Sequence, residues 1–372
     1  MFSFHDTQYM KRALYLAKQA AGRTSPNPLV GCVIVRDGHI VGEGYHRKAG
    51  QPHAEIHALE AAGDKAKGAD VFVTLEPCSH YGRTPPCTEA LIQAGVRRVV
   101  AAMADPHPQV QGQGMLRLHQ SGIEVQFGLL EDQARVLNQG YLKVIESGLP
   151  FVLYKSALTM DGKHETFAQD IRWITNEQSR NYVHHLRDTH DVILVGSRTV
   201  IIDNPRLTCR LPDRNGRNPV RLIVDGKLAT DPTALVFENN PQTDGAVPDL
   251  VIVATTEHIW NTLAPEDKAR WESLEHVEIW PYASPIHVPL PDLMRDLVKR
   301  GWNTVLLEGG ETLAKAMLQA ELVDKIEFFY APKLYGPSDP AVPGAHPIYL
   351  EDIEYSWKTG DLRISAYPKY HV

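Results

Sequence analysis

Two short runs carry residue types suited to metal-assisted hydrolysis: His53-Ala54-Glu55 and Glu76-Pro77-Cys78, with Cys87 beyond Cys78 after eight intervening residues. Zinc favours imidazole and thiolate ligands, and three protein ligands leave a fourth position for water. An ion held by His53, Cys78 and Cys87 would lower the pKa of that water from about 15.7 to near 7, supplying hydroxide at neutral pH. Hydrolytic removal of an amine also needs a group that carries a proton from water to a ring nitrogen and on to the departing amine. Glu55 is placed for this, because residues two apart on a helix do not face each other: His53 can hold the metal while Glu55 flanks it. His57, one helical turn beyond His53, is a competing ligand whose position better suits packing at a helix interface. A lone His-x-Glu is common, and a buried cysteine is usually an inert small hydrophobe. The combination carries the weight, each half sitting at an expected helix start.

Those starts belong to an alternating pattern. A helix near 6–21 leads to the apolar runs LVGCVIV and HIVGEGY, and Asp37-Gly38 between them signals a hairpin. A helix follows from about Pro52 to Gly63, then the strand DVFVTLE, and Thr84-Pro85 reads as the cap and first residue of a helix ending near Gly95. The strand VRRVVAAM, a helix near 110–121, the strand IEVQFG and a helix near 131–146 complete the series. A second begins after Ser147-Gly148-Leu149-Pro150: FVLYKSAL, a helix near 176–189, DVILVG, PVRLIVDG, DLVIVAT, NTVLLEGG with a helix, KIEFFYAPKLYG and a hairpin around Gly360, with loops over 203–220 and 238–248. Both series imply layered α/β sheets, and we place the domains at 1–146 and 147–372.

The chain has 372 residues, 43% hydrophobic and 22% charged, which suits two globular domains. No apolar run reaches the roughly 20 residues needed to span a bilayer, and the amphipathic N-terminus lacks the features of a signal peptide. The expected location is the cytoplasm. A net charge of −7 with no basic tract argues against a nucleic-acid partner; two or three placed cations would still serve one small phosphate. Four cysteines, Cys32, Cys78, Cys87 and Cys209, are too few for a disulfide scaffold. A homo-oligomer stays open.

In zinc deaminases an H-x-E run followed by P-C recurs, with the glutamate as general acid/base. Here the cysteines enclose the longer loop CSHYGRTPPC, and with TSPNPLVGCVIV, GEGYH and HAEIHAL the chain resembles, over about residues 8–145, the deaminase half of the bifunctional deaminase/reductases of riboflavin biosynthesis. The resemblance implies a cytidine-deaminase-like three-layer domain, with substrate contacts at Asn27, His46 and Arg83. His46 and Arg83 suit a ribose phosphate; His80 is a weaker candidate.

In the second series no G-x-G-x-x-G follows a strand, so a standard dinucleotide fold is not indicated. KSALTMDGK, RWIT, ILVGSRTVIIDNPRLTCR, PVRLIVD and LLEGGETLAKAML resemble the reductase half of the same family over about residues 150–335. This implies a dihydrofolate-reductase-like α/β domain that binds NADPH through Ala157, Trp173, Thr199, Asp203 and the turn Gly310, Glu311, Thr312, Leu313 and Ala314. It also implies substrate contacts at Arg187, Leu207, Arg210 and Glu308, with both arginines suited to phosphate; Lys155 and Glu308 are polar groups suited to the surroundings of the carbon that accepts hydride. Trp173 taken alone reads as a core aromatic. The expected reactions are deamination of a small phosphorylated diaminopyrimidine riboside, then reduction of its ribosyl group to ribityl.

One stretch departs from the family: His164, Glu165 and Phe167 replace small residues, and Gln169 and Ile171 stand where glycine and serine are usual. Ile171 cannot donate a serine's hydrogen bond, so this loop is expected to hold substrate differently, and serine at 171 should lower KM. Two other readings stay open on residues alone: a nucleoside or tRNA deaminase with a non-catalytic second domain, and a structural zinc module beside a ligand sensor.

Overall fold

Ser3 starts the first helix, α1 (Phe4–Lys18): its hydroxyl accepts from the Asp6 N–H while the Asp6 carboxylate accepts from the Ser3 N–H. The computed structural model describes residues 2–79, 86–107, 111–160, 162–164, 173–240, 249–332, 349–357 and 360–369, and it divides into units Met1–Leu149 and Pro150–Val372.

In the first unit α1 is followed by β1 (Gly31–Arg36), β2 (His39–Tyr45), α2 (Ala54–Ala62), β3 (Asp70–Val73), α3 (Cys87–Gln93), β4 (Arg98–Ala101), α4 (Gln113–Gln120), β5 (Glu124–Phe127), α5 (Glu131–Leu137) and α6 (Gln139–Ser147). The sheet runs β2-β1-β3-β4-β5, with β1 antiparallel to β2 and β3, and β3, β4 and β5 parallel. Its faces are covered by different helices. Gly31 meets α1, while Gly42 and Gly44, on the opposite face by strand alternation, meet α2. α1 packs with α5, and α2 with α3, which packs on α4. The result is three layers around a core that includes Met10, Val33, Phe72, Val99 and Leu118.

The second unit holds β6 (Phe151–Thr159), α7 (Glu177–Thr189), β7 (Val192–Gly196), α8 (Ser197–Asp203), β8 (Val220–Val224), β9 (Val251–Thr256), α9 (Glu257–Thr262), α10 (Pro265–Glu272), β10 (Val277–Tyr282), α11 (Leu290–Lys299), β11 (Thr304–Glu308), α12 (Glu311–Gln319), β12 (Lys325–Ala331), β13 (Tyr349–Ser356) and β14 (Leu362–Lys369). Strand order is β10-β9-β8-β7-β11-β6-β12-β14-β13; the first seven are parallel, and the β13–β14 hairpin adds antiparallel. The runs Val192–Val195 and Val251–Ala254 are fully buried, as parallel strands covered on both faces require.

Three expectations need correction. The 131–146 helix is two, broken at Asn138, whose amide accepts from the Leu29 N–H at 2.7 Å and donates to the Leu29 carbonyl at 3.0 Å. α3 begins at Cys87 with Pro86 as its cap, and Thr84 and Pro85 lie outside the described residues. α8, α9, α10, α11 and β10 were not expected. β10 carries Pro281, which an edge strand tolerates but which hides a strand from pattern reading.

Candidate active sites

In the first unit, α2 lies close on β2 because Gly42 and Gly44 present no side chain. A Cβ at 44 would collide with the Ala54 carbonyl, and one at 42 with that of Ala58. This fixes His53 as the N-cap of α2 and Glu55 in its first turn. Cys78 follows β3, and Cys87 opens α3. His53 Nδ1 lies 3.6 Å from Cys78 Sγ and 3.3 Å from Cys87 Sγ, and the three ligand atoms all fall within 4.8 Å of one another. Ligands bonded tetrahedrally at about 2.05 Å (N) and 2.3 Å (S) stand roughly 3.5 Å apart, so this donor set fits one zinc ion.

The electrostatics suit the same chemistry. The Cys87 thiol, the Cys87 N–H at 3.3 Å and His53 all face the Cys78 sulfur and hold it well below the ordinary thiol range, against a burial that works the other way. Glu55 is 3% exposed; burial, reinforced by Cys78 and opposed by His53, pushes its carboxyl up to about 7, the value a proton carrier at neutral pH needs. His57 is not one of the three grouped ligands; its Nδ1 lies 3.6 Å from Glu60.

His46 is buried, with Nδ1 at 3.2 Å from the Pro52 carbonyl. Nδ1 therefore carries the proton, and Nε2 accepts from the Asn27 amide at 3.2 Å. Burial lowers its pKa, so it is a neutral ring packed edge-on against His53 rather than a cationic phosphate partner. Arg83 and His80 lie outside the described residues. Glu76 has a role the sequence reading missed: its buried carboxylate accepts from the N–H groups of Asp105, Gly112, Gly114 and Met115, tying the approach to α4 to the segment that carries Cys78. The signal was the Glu-Pro-Cys run itself, quoted without a role for its glutamate.

In the second unit Arg187 of α7 grips Glu308 at the end of β11 with two parallel bonds of 2.8 and 2.9 Å and gives a third, at 3.1 Å, to the Thr208 carbonyl. Arg187, with Lys155 and His184, holds the Glu308 carboxyl down at about 2 against a burial that works the other way. In this arrangement the Arg187 fork is taken up by Glu308 and the Thr208 carbonyl. Arg210 bonds only to Thr208 through its guanidinium and makes no ion pair among the described residues. It lines a cavity of about 530 Å³ with Arg206, Thr208, Cys209 and Arg214. Leu207, buried beside it, holds φ at +54°, a backbone state rare outside glycine. His184, which accepts from the Arg210 N–H at 3.2 Å, is kept neutral by burial and the two arginines, its pKa lowered to about 4; sequence gave no sign of it among seventeen histidines.

Gly309 and Gly310 both adopt positive φ, and side chains there would press on the Thr199 hydroxyl, at 3.0 and 3.3 Å. Thr199 of α8 is thereby set beside the turn that opens α12, whose first N–H groups have no side-chain cap. Leu313 and Ala314 are buried beneath, while Ala157 lies on β6 and Asp203 ends α8. Trp173 is 51% exposed, with Arg180 over its ring, and is not a core aromatic. His164 bonds Ser156 at 3.0 Å and lies 3.4 Å from Glu311; 165–172, with Ile171, lie outside the described residues.

Residues 4–103 match the cytidine and deoxycytidylate deaminase zinc-binding region, and residues 150–355 match the RibD C-terminal domain. The riboflavin biosynthesis protein RibD of Escherichia coli is 44% identical over 342 residues, 89% of each chain; that of Bacillus amyloliquefaciens is 43% identical over 331 residues, 89% of this chain and 85% of the relative. RibD of Acinetobacter baumannii superposes with a TM-score of 0.82 at 37% identity, covering 98% of this chain and 99% of that one. A Thermotoga maritima diaminohydroxyphosphoribosylaminopyrimidine deaminase/5-amino-6-(5-phosphoribosylamino)uracil reductase gives 0.82 at 35%, with the same coverage. Fold and sites define a two-headed enzyme, a deaminase domain joined to a reductase domain. The chain belongs to the RibD family of riboflavin biosynthesis proteins. No helix among the described residues is long and apolar enough to cross a membrane.

Proposed function

We propose that residues 1–146 deaminate a diaminopyrimidine ribosyl phosphate and that residues 147–372 reduce the ribosyl group of the product to ribityl, in the cytoplasm. In the first domain His53, Cys78 and Cys87 would hold zinc, which when bound supplies the positive charge that lets water attack a ring carbon at neutral pH. Glu55, beside the metal rather than on it, takes one proton from water and delivers it to the ring nitrogen, then moves the second proton from the added hydroxyl to the amine, which leaves as ammonia while the carbonyl forms. Asn27, fixed by neutral His46, orients the pyrimidine, and Arg83 is the phosphate candidate.

In the second domain the turn from Gly310 to Ala314, with Thr199, Asp203, Ala157 and Trp173, would bind NADPH, which supplies hydride. The sugar reacts as its ring-opened imine: hydride adds to the sugar carbon, the C=N electron pair moves to nitrogen, and nitrogen takes up a proton. Lys155 and Glu308 flank that carbon. Arg210 meets the phosphate, Leu207 lies against the substrate, and Arg187 contributes by keeping Glu308 ionised.

The observation that carries the reading is the closeness of one imidazole and two sulfurs beside a buried carboxyl held near 7. With the diaminopyrimidine ribosyl phosphate as substrate, ammonia release should precede NADPH consumption, and a chelator should abolish both. Ammonia release that survives zinc removal would overturn the assignment.

A further inference from the structure

On the sheet face beneath α7, charge alternates along one row. Glu308 on β11 and Glu327 on β12 are both register neighbours of Lys155 on β6, one on each side. Beyond Glu308 stands Arg187; beyond Glu327 stands Arg363 of β14, 3.0 Å from its carboxylate. The order is Arg187, Glu308, Lys155, Glu327, Arg363. Tyr182 of α7 closes the far end: the Arg363 guanidinium lies 4.9 Å from its ring centroid, and its hydroxyl interacts with Glu327. Glu327 is 4% exposed, and a carboxylate so buried needs its charge met.

The two acids are each clamped from outside, while the lysine between them is not. Among the described residues the Lys155 ammonium makes no hydrogen bond or ion pair, and it is drawn to both carboxylates by charge alone. With Glu308 as its only neighbouring anion, it would collapse onto that side. A second anion on the opposite strand balances the pull and leaves the ammonium's donors open.

We propose that Glu327, braced by Arg363, is a positioning residue of the reductase: it balances Glu308 across Lys155, so that the ammonium stays charged and free to meet the substrate. This rests on reading Lys155 as a substrate contact. Every charged group facing the row fits. Lys155 sees Glu308, Arg187 and Glu327; Glu327 sees Arg363, Tyr182 and Lys325; Glu308 also sees His184. Burial, the largest influence, and Arg187 lower the Lys155 pKa, and Glu308 and then Glu327 oppose them; burial likewise pushes the Glu327 carboxyl up, against Arg363, Tyr182 and Lys325.

The test is chemical labelling of Lys155 in the full-length protein with acetic anhydride across pH, quantified by peptide mass spectrometry. Removing the anion in Glu327→Gln should move the labelling midpoint to lower pH. Arg363→Met releases Glu327 to act on Lys155 alone and should move it to higher pH. A purely structural role would shift both variants the same way or neither, and either result overturns the proposal. In Glu327→Gln the reductase kcat should fall about ten-fold with KM for NADPH unchanged, Glu327→Asp should recover most of it, and ammonia release should report an intact fold. Should Glu327→Gln fail to fold, the upward shift in Arg363→Met still decides. Lys155→Met separates the two layers: if it leaves NADPH consumption intact, the reading of Lys155 fails; if it abolishes consumption while the labelling midpoints do not move, the positioning role alone fails.

Discussion

Replacing Arg187 by methionine should remove the stability that the reductase unit draws from its buried Glu308, with a pH dependence of known sign. The carboxyl sits at about 2 instead of its ordinary 4.5. A group whose folded pKa is depressed stabilises the fold fully above its unfolded value and loses that contribution as pH falls through its folded value. The contribution is about 3 kcal/mol at pH 7 and roughly half of that at pH 3. The bidentate geometry and burial of both partners place the pair among those whose one-sided removal costs roughly this much, about 3–5 kcal/mol. Lys155 remains nearby, so the lower end is expected. All six tryptophans, 173, 260, 271, 280, 302 and 357, lie in the second unit, so intrinsic fluorescence in urea reports that unit alone. With a denaturant slope of about 3 kcal/mol per molar, the midpoint should fall by roughly 1 M at pH 7 and by about half as much at pH 3. In Arg187→Met/Glu308→Gln the Glu308 carboxylate is gone, so the pH dependence that it contributes should disappear from the remaining deficit. A deficit in the single variant that is equal at both pH values would refute the reasoning.

Glu55→Gln should lower ammonia release by at least 100-fold while zinc per chain, measured by atomic absorption, and NADPH-dependent reduction of the deaminated substrate stay unchanged. Glu76→Gln turns one of two acceptor oxygens into a donor facing backbone N–H groups. It should cost about 1–3 kcal/mol and slow deamination, read by calorimetry and ammonia release. Gly44→Ala forces α2 off β2, so the variant should bind less than one zinc per chain; full occupancy would show that the close approach does not set the site.

The His53, Cys78 and Cys87 cluster was legible because its chemistry is local. His53 and Glu55 share one helix turn, Cys78 and Cys87 share one loop, and hairpin and cap signals place both runs at the same end of a sheet. What pattern reading lost is what depends on strands meeting far apart in sequence. Nothing in the run KIEFFYAP marks Glu327 as the neighbour of Lys155, because that pairing joins positions 155 and 327 through a parallel register. The resemblance made Arg187 a substrate contact suited to phosphate; only the end of β11, 121 residues away, supplies the carboxylate that engages its fork. His46 was read as suited to a ribose phosphate, but Asn27 and the Pro52 carbonyl take both ring nitrogens. In each case the residue type was visible and its charge state was not, because the charge state is set by burial and by partners that the fold alone brings close. The same holds for Asn138: a helix-compatible residue breaks its helix because its amide satisfies both backbone groups of Leu29, 109 residues earlier.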